Sequence, residues 1–250
     1  DLYGNELATF GSTAVTNDST YDSSDPYIPA APETFNTDYD LPTGGTTWTP
    51  ANFAELQSDV YAAEPGDVIV LQAGTTYSGA LVLPDKGAGT DWIYIISSAL
   101  ASLPPEGERV SMSDAANMPK ITHVAYAAIT TDYAAHHYRI VGVELEAGAR
   151  TVLTLVQFGY GGPLASLLPA YVEANLPHHI TLDRCLIHST SDAHRLRHGV
   201  MLNGLYSAVV DCYIGNCKDT ADSQAIWTYN GDGPYKIVNN FLEGTGMSYM

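Results

Sequence analysis

The chain has 250 residues, 45% of them hydrophobic, enough to bury a full core in one folded body. Its 28 acidic residues against 10 basic ones give a formal net charge of −18, which argues against nucleic acid and against anionic membrane surfaces as partners. No apolar run approaches the roughly 18 residues that a membrane-spanning helix needs, so no membrane span is expected.

In chain order, residues 1–47 come first and differ from the rest. They are rich in Thr, Ser, Asp, Pro and Tyr and show no sustained period, so they read as an extended low-complexity arm. Ordering so many residues with sparse apolar side chains requires a borrowed surface, either the protein's own body or a neighbouring subunit. The neighbour is the expectation here, with a homo-oligomer or filament as its consequence. Asn17-Asp18-Ser19 is a glycosylation acceptor pattern. Thr49 and Pro50 then read as the N-cap and first position of a helix carrying Phe53, Leu56, Val60 and Tyr61 at helical spacing. Pro65-Gly-Asp67 ends it and leads into the strand Val68–Leu71.

Ala80–Leu83, Trp92–Ile96 and Val152–Val156 are short apolar runs of strand length, and residues 97–120 form an irregular excursion. From His178 onward one pattern recurs three times. Leu182 aligns with Val209 and Ile237, Cys185 with Cys212 and Asn240, and Ile187 with Ile214 and Leu242. An earlier copy begins at His136-His137, matching the doublet His178-His179, and places Val143 opposite Cys185. A fixed period near 27 residues built from runs of about four points to stacked coils, in which each strand lies on its equivalent one turn later. Leu182 and Cys185 both face inward only if Asp183-Arg184 turns a corner, so Val143, Cys185, Cys212 and Asn240 form an interior ladder. Cys185 and Cys212 point in parallel and fill that corner as thiols, while Cys217 falls past the strand in a turn. The sequence ends at Met250 partway round a coil, so the stack is expected to continue in a longer chain or against another one.

These repeats resemble the right-handed parallel β-helix proteins of the pectate-lyase-like superfamily, in particular large secreted bacterial proteins. The wording at residues 65–77 (Pro-Gly-Asp-Val-Ile-Val-Leu-Gln-Ala-Gly-Thr-Thr-Tyr), 222–226 and 236–244 carries the likeness. It implies an all-β parallel solenoid over residues 48–250, with the N-terminal helix capping its open end and the arm of residues 1–47 outside it. It also implies secretion or display on a bacterial cell surface, in keeping with the four lysines and the abundance of Tyr, Thr, Ser, Asn and Gly.

The densest polar cluster is the stretch from Asp192 to His198, with His194, Arg195, Arg197 and His198 as candidate catalytic residues. In β-helix lyases an Arg or Lys neutralises a sugar carboxylate or takes a proton, and Ca²⁺ or acidic groups support it. Asp211, Asp219 and Asp222 are a candidate calcium group through their oxygens. Tyr213, Phe241 and Trp227 are candidate aromatic contacts to sugar faces. The histidine doublets open equivalent rungs, and such repetition favours a structural role. No Gly-x-Ser-x-Gly elbow, phosphate loop or Cys-x-x-Cys pair occurs, nor a lyase signature around an Arg-Pro turn. Three functions stay open: a structural, assembly or adhesive β-helix, which leads; a polysaccharide lyase or glycoside hydrolase working in an outer groove; and a carbohydrate-binding module without turnover.

Overall fold

The computed structural model describes residues 35–250 apart from residues 125, 149–150, 161–172 and 191–194. Asn17, most of the N-terminal arm and His194 therefore lie outside the described residues. The described chain winds as a right-handed parallel β-helix, with three parallel sheets visited in turn on each coil. The first sheet stacks Thr47–Trp48, Val68–Leu71, Ile93–Ser97, His136–Val141, His178–Asp183, Ser207–Val210 and Tyr235–Val238. Thr76–Ser78, Lys120–His123, Glu144–Ala147, Leu186–Ser189, Tyr213–Cys217 and Phe241–Gly244 make the second. Leu81–Leu83, Ile129–Thr131, Val152–Phe158, Leu196–Leu202, Gln224–Trp227 and Met247–Tyr249 make the third.

Register follows the apolar pattern. Leu182 pairs with Val209 and Val209 with Ile237, and Ile187 pairs with Ile214 and Ile214 with Leu242. The corner between the first and second sheets is a left-handed residue followed by an inward one. Arg184, Asp211 and Asn239 have φ of 48°, 56° and 54°, and Gly142 takes the equivalent place at 67°. Each left-handed residue breaks the two-residue alternation, so Val143, Cys185 and Cys212 turn into the core behind it. The ladder is hydrogen-bonded: Cys185 N–H donates to Cys212 Sγ at 3.3 Å, and Cys212 N–H to Asn240 Oδ1 at 2.8 Å. All three thiols are free and buried. Burial pushes the Cys217 thiol up to about 12 and raises that of Cys212 as well. Cys217 is not in a turn, since the strand Tyr213–Cys217 runs on past its apolar residues to include it.

The α-helix among the described residues, Phe53–Ala62, starts later than Thr49-Pro50 suggests. Asn52 is the N-cap, its side chain accepting from Glu55 N–H at 3.0 Å, while Glu55 Oε2 accepts from Ala51 N–H at 2.8 Å. That reciprocal pairing satisfies orphan donors which Thr49 is too far upstream to reach. Leu56 and Val60 close over the open end of the core, and Tyr61 stays exposed.

Residues 35–46 run along the outer face of the first sheet. Lys236 Nζ donates to Thr37 Oγ1 at 2.7 Å, Phe35 meets Tyr206 edge-on, and Tyr39 stacks on Tyr94 at 5.6 Å. Thr46 N–H then donates to Asp67 Oδ1 at 2.6 Å, beside the first coil. Beneath this strap Asp183 is fully buried, between Arg139 Nη2 at 2.6 Å and Arg184 Nε at 2.8 Å. Arg139 Nη1 donates to Thr37 O at 2.5 Å, and Arg184 Nη2 to Tyr39 Oη at 2.7 Å. For residues 35–46, then, the protein's own coil supplies a surface.

Candidate functional site

Sheet alternation decides which side chains reach the outer face of the third sheet. Leu196, Val200 and Leu202 point into the core, which leaves Arg197 and Met201 outside. Gly199 interrupts the simple alternation, because a Cβ there would stand 2.6 Å from Ala225 O and 2.6 Å from Ile214 Cγ2. Flanking it, His198 pairs with Thr154 on one side and Gln224 on the other, and Met201 lies between Gln157 and Trp227. These columns floor a groove of ≈ 500 Å³ lined by Tyr126, Ala127, Leu153, Thr154, Gln157, Tyr160, Arg197, His198, Met201 and Trp227. A second hollow of ≈ 230 Å³ adjoins it through Gln157 and Tyr160.

Within the groove, His198 is buried and stacks on Trp227 at 4.4 Å, with Tyr229 stacked on Trp227 at 5.2 Å. His198 Nδ1 lies 3.1 Å from Thr154 Oγ1, so Nε2 is the ring's remaining proton-exchanging atom. Burial, aided by the Arg197 charge, lowers the His198 pKa to about 4 and keeps the imidazole neutral at neutral pH. Arg197 Nε donates to Asp222 O at 3.1 Å, and its terminal amino groups have no hydrogen bond among the described residues. Trp227 Nε1 is buried and also lacks a partner, a polar atom whose hydrogen bond the described chain does not supply.

Asn203 fixes one end of the groove. Its Nδ2 donates to Tyr160 O at 2.9 Å, and its Oδ1 accepts from Tyr229 N–H at 2.8 Å and Asn230 N–H at 3.0 Å. A single fully buried amide thus holds both tyrosine-bearing turns. Gly159 makes this possible, since any Cβ there would fall on Asn203 O.

Of the residues picked out from sequence, Arg197, His198 and Trp227 meet in this groove. Arg195 is exposed next to it, and its charge helps hold the Asp219 carboxyl below the usual range, after the stronger hydrogen bond from Ala221 N–H. Tyr213 and Phe241 stack on each other at 4.5 Å but lie on the second sheet, where Tyr213 packs beside Leu103, Val110 and Met118 of the 97–119 excursion. The expected aromatic trio is therefore divided between two faces.

The proposed calcium group is not brought together either. Asp211 sits at the corner between the first and second sheets, its Oδ2 accepting from Gly107 N–H at 2.8 Å and its Oδ1 from Asn239 Nδ2 at 2.7 Å. Asp219 and Asp222 belong to the turn between the second and third sheets, on the far side of the strand that begins two residues after Asp211. Two other groups among the described residues bring possible metal-ligating atoms within 4.8 Å of one another: His136, His137 and His178, and Glu144, Glu146 and His188. The second group has a cation of its own. Lys120 Nζ lies 2.5 Å from Glu146 Oε2 and 3.3 Å from Glu144 Oε1, and His188 Nε2 is 2.9 Å from Glu144 Oε1. Burial raises the Glu144 carboxyl, but the His188 hydrogen bond and the Lys120 charge outweigh that and hold it below the usual range. A divalent ion fits these donors only by exchanging with the Lys120 ammonium.

Sequence reasoning missed Tyr126, Thr154, Gln157 and Tyr160, which come from the earlier coils where insertions hide the period. It also missed Lys120, Glu144, Glu146 and His188, which no local spacing connects.

No family sequence profile matches the chain, and no curated protein sequence matches it. A solved structure of similar fold is an alginate lyase from Paenibacillus sp. str. FPU-7, at a TM-score of 0.52 and 15% identity, over 77% of this chain and 57% of that one. With the three parallel sheets, this likeness supports the parallel β-helix fold.

Proposed function

We propose that this protein is a secreted bacterial enzyme that cleaves a uronate-bearing polysaccharide by β-elimination in the groove on the third sheet. The observation that carries the reading is the groove's composition. Among the described residues it holds a guanidinium whose terminal amino groups make no hydrogen bond, a neutral imidazole and an aromatic platform, and no Asp or Glu lines it. Hydrolysis of a glycosidic bond ordinarily needs a pair of carboxyl groups flanking it, and this lining offers none. Elimination needs a cation on the sugar carboxylate and a base for the neighbouring carbon, which Arg197 and His198 supply. His198 Nε2 takes the proton from C5, the C–H pair becomes the C4=C5 bond, and the C4–O bond breaks. The departing oxygen is protonated by water or a groove tyrosine. Trp227 and Tyr229 stack on a sugar face, and Trp227 Nε1 donates to the bound chain. The net charge of −18 opposes a polyanion at long range, but screening confines that repulsion to about 8 Å at physiological salt.

The similar fold of a solved alginate lyase supports this reading over assembly or adhesion. So does the strap, because the described part of the arm engages its own coil. Incubation with a panel of uronate and neutral polysaccharides, followed by ultraviolet absorbance of the new double bond, is the test. Arg197→Met and His198→Gln should each lower turnover at least about a hundredfold. New reducing ends without unsaturation would mean hydrolysis, and binding without product would leave a carbohydrate-binding module.

A further inference from the structure

The four histidines on the first sheet lie outside this groove, and their arrangement is more specific than a structural ladder requires. His137 and His179 have φ of 56° and 52°, and this left-handed turn sends two consecutive side chains to the same face. The coil does not itself demand histidine there, because Tyr206 fills the equivalent place on the next rung with φ of 46° and continues the stack on His179 at 4.8 Å. What the histidines add is nitrogen. His136 Nδ1 and His137 Nδ1 are 2.7 Å apart, and His178 Nδ1 and His179 Nδ1 are 2.8 Å apart, with the two rings of each pair nearly perpendicular. His136 stacks on His178 at 4.8 Å and His137 on His179 at 4.6 Å.

We propose that His136, His137 and His178 bind a transition-metal ion of the copper(II) or nickel(II) class, with His179 beside them.

Ligands at about 2.0 Å that subtend a right angle stand about 2.8 Å apart, whereas the tetrahedral angle separates them by about 3.3 Å. His136 and His137 hold their Nδ1 atoms 2.7 Å apart through a hydrogen bond, and an ion that takes the place of that proton finds a spacing suited to the right angle, hence a tetragonal ion. One ring nitrogen of His178 lies within 4.8 Å of that pair, and binding the ion requires His178 to leave its stack on His136 and its contact with His179. The supporting groups are in place. His136 Nε2 lies 2.8 Å from Gly87 O and 3.5 Å from Asp85 Oδ1, the kind of partner that fixes a ligating imidazole with its other nitrogen free for a metal. An all-nitrogen donor set excludes calcium as the preferred ion.

The test uses tag-free, chelator-dialysed full-length protein, titrated calorimetrically with copper(II), nickel(II) and calcium separately, and with copper(II) followed by electron paramagnetic resonance. One equivalent of copper(II) should bind with a dissociation constant below about 1 μM, with splitting from at least three nitrogens, while calcium does not compete. His178→Gln should weaken binding about a hundredfold, as loss of one ligand does. His137→Gln should act similarly, and thermal melting of each variant separates lost ligation from lost fold. Because Tyr is native to the next rung, His179→Tyr preserves the stack and should retain most of the affinity. Binding weaker than about 10 μM, or unchanged affinity in folded His178→Gln and His137→Gln, would overturn the proposal.

Discussion

The first and third sheets are built from the same coils, yet their outer faces have opposite fates. The first is covered by residues 35–46, and its buried charges are satisfied: Asp183 by two guanidinium groups, Arg139 by a backbone carbonyl and Arg184 by a tyrosine hydroxyl. The third is an open groove whose indole N–H and two guanidinium nitrogens have no partner among the described residues. The contrast teaches that an inward pattern fixes the coil while the outward residues set the character of each face, one covered over residues 35–46 with its buried charges paired and the other left as an open groove.

The largest break should come from Asp183→Ala. It leaves Arg139 and Arg184 buried without their shared carboxylate, and stability should fall by about 3–5 kcal/mol in chemical denaturation. Tyr39→Ala removes the stack on Tyr94, the ring beneath the Arg139 guanidinium at 3.7 Å and the acceptor for Arg184, so a loss of about 2–4 kcal/mol is expected. On the third sheet Gly199→Ala should cost about 1–3 kcal/mol by pressing a methyl against Ala225 O and Ile214.

His198 makes the comparison depend on pH. Its folded pKa of about 4 lies below the unfolded value near 6.5, so between these limits the unfolded state binds more protons. Its contribution to stability is complete above about pH 6.5 and fades as pH falls toward 4, by at most about 1.4 kcal/mol per pH unit. An NMR titration of the ring reads this directly. Arg197→Met should move the midpoint upward, and a midpoint already near 6.5 in the unaltered protein would contradict the buried, neutral ring. The smallest effect belongs to Trp227→Phe. Since Nε1 has no partner within the described protein, melting should shift by less than about 0.5 kcal/mol, while affinity for a polysaccharide that turns out to bind should drop.

The interior was legible because it repeats. Leu182, Val209 and Ile237 stack as their spacing implies, and the corner at Asp183-Arg184 follows from two inward residues three apart. Cys217 was misplaced because its strand contains a left-handed residue, Asn216 with φ of 57°, and a register irregularity between Ile214 and Cys217 that carries pairing beyond the apolar run. The helix start was misplaced for a different reason. Thr49-Pro50 is a sound local start signal, but the Asn52–Glu55 pairing satisfies more backbone donors. Arg197, His198 and Trp227 could be picked out because they fall in the regular coils. Their partners Thr154, Gln157 and Tyr160 reach the groove across an insertion, and the lateral contacts of a solenoid leave no trace in local spacing.

A stack of coils held only by neighbours comes apart from its ends, each turn loosening independently of those far from it. Residues 35–46 change that mechanics, since one short stretch grips Lys236 on the sixth coil, Arg139 on the third and Asp67 beside the first. It behaves as a tie rod. Load on any one of the gripped coils is passed to the others, so loosening one of them also strains the contacts to the rest.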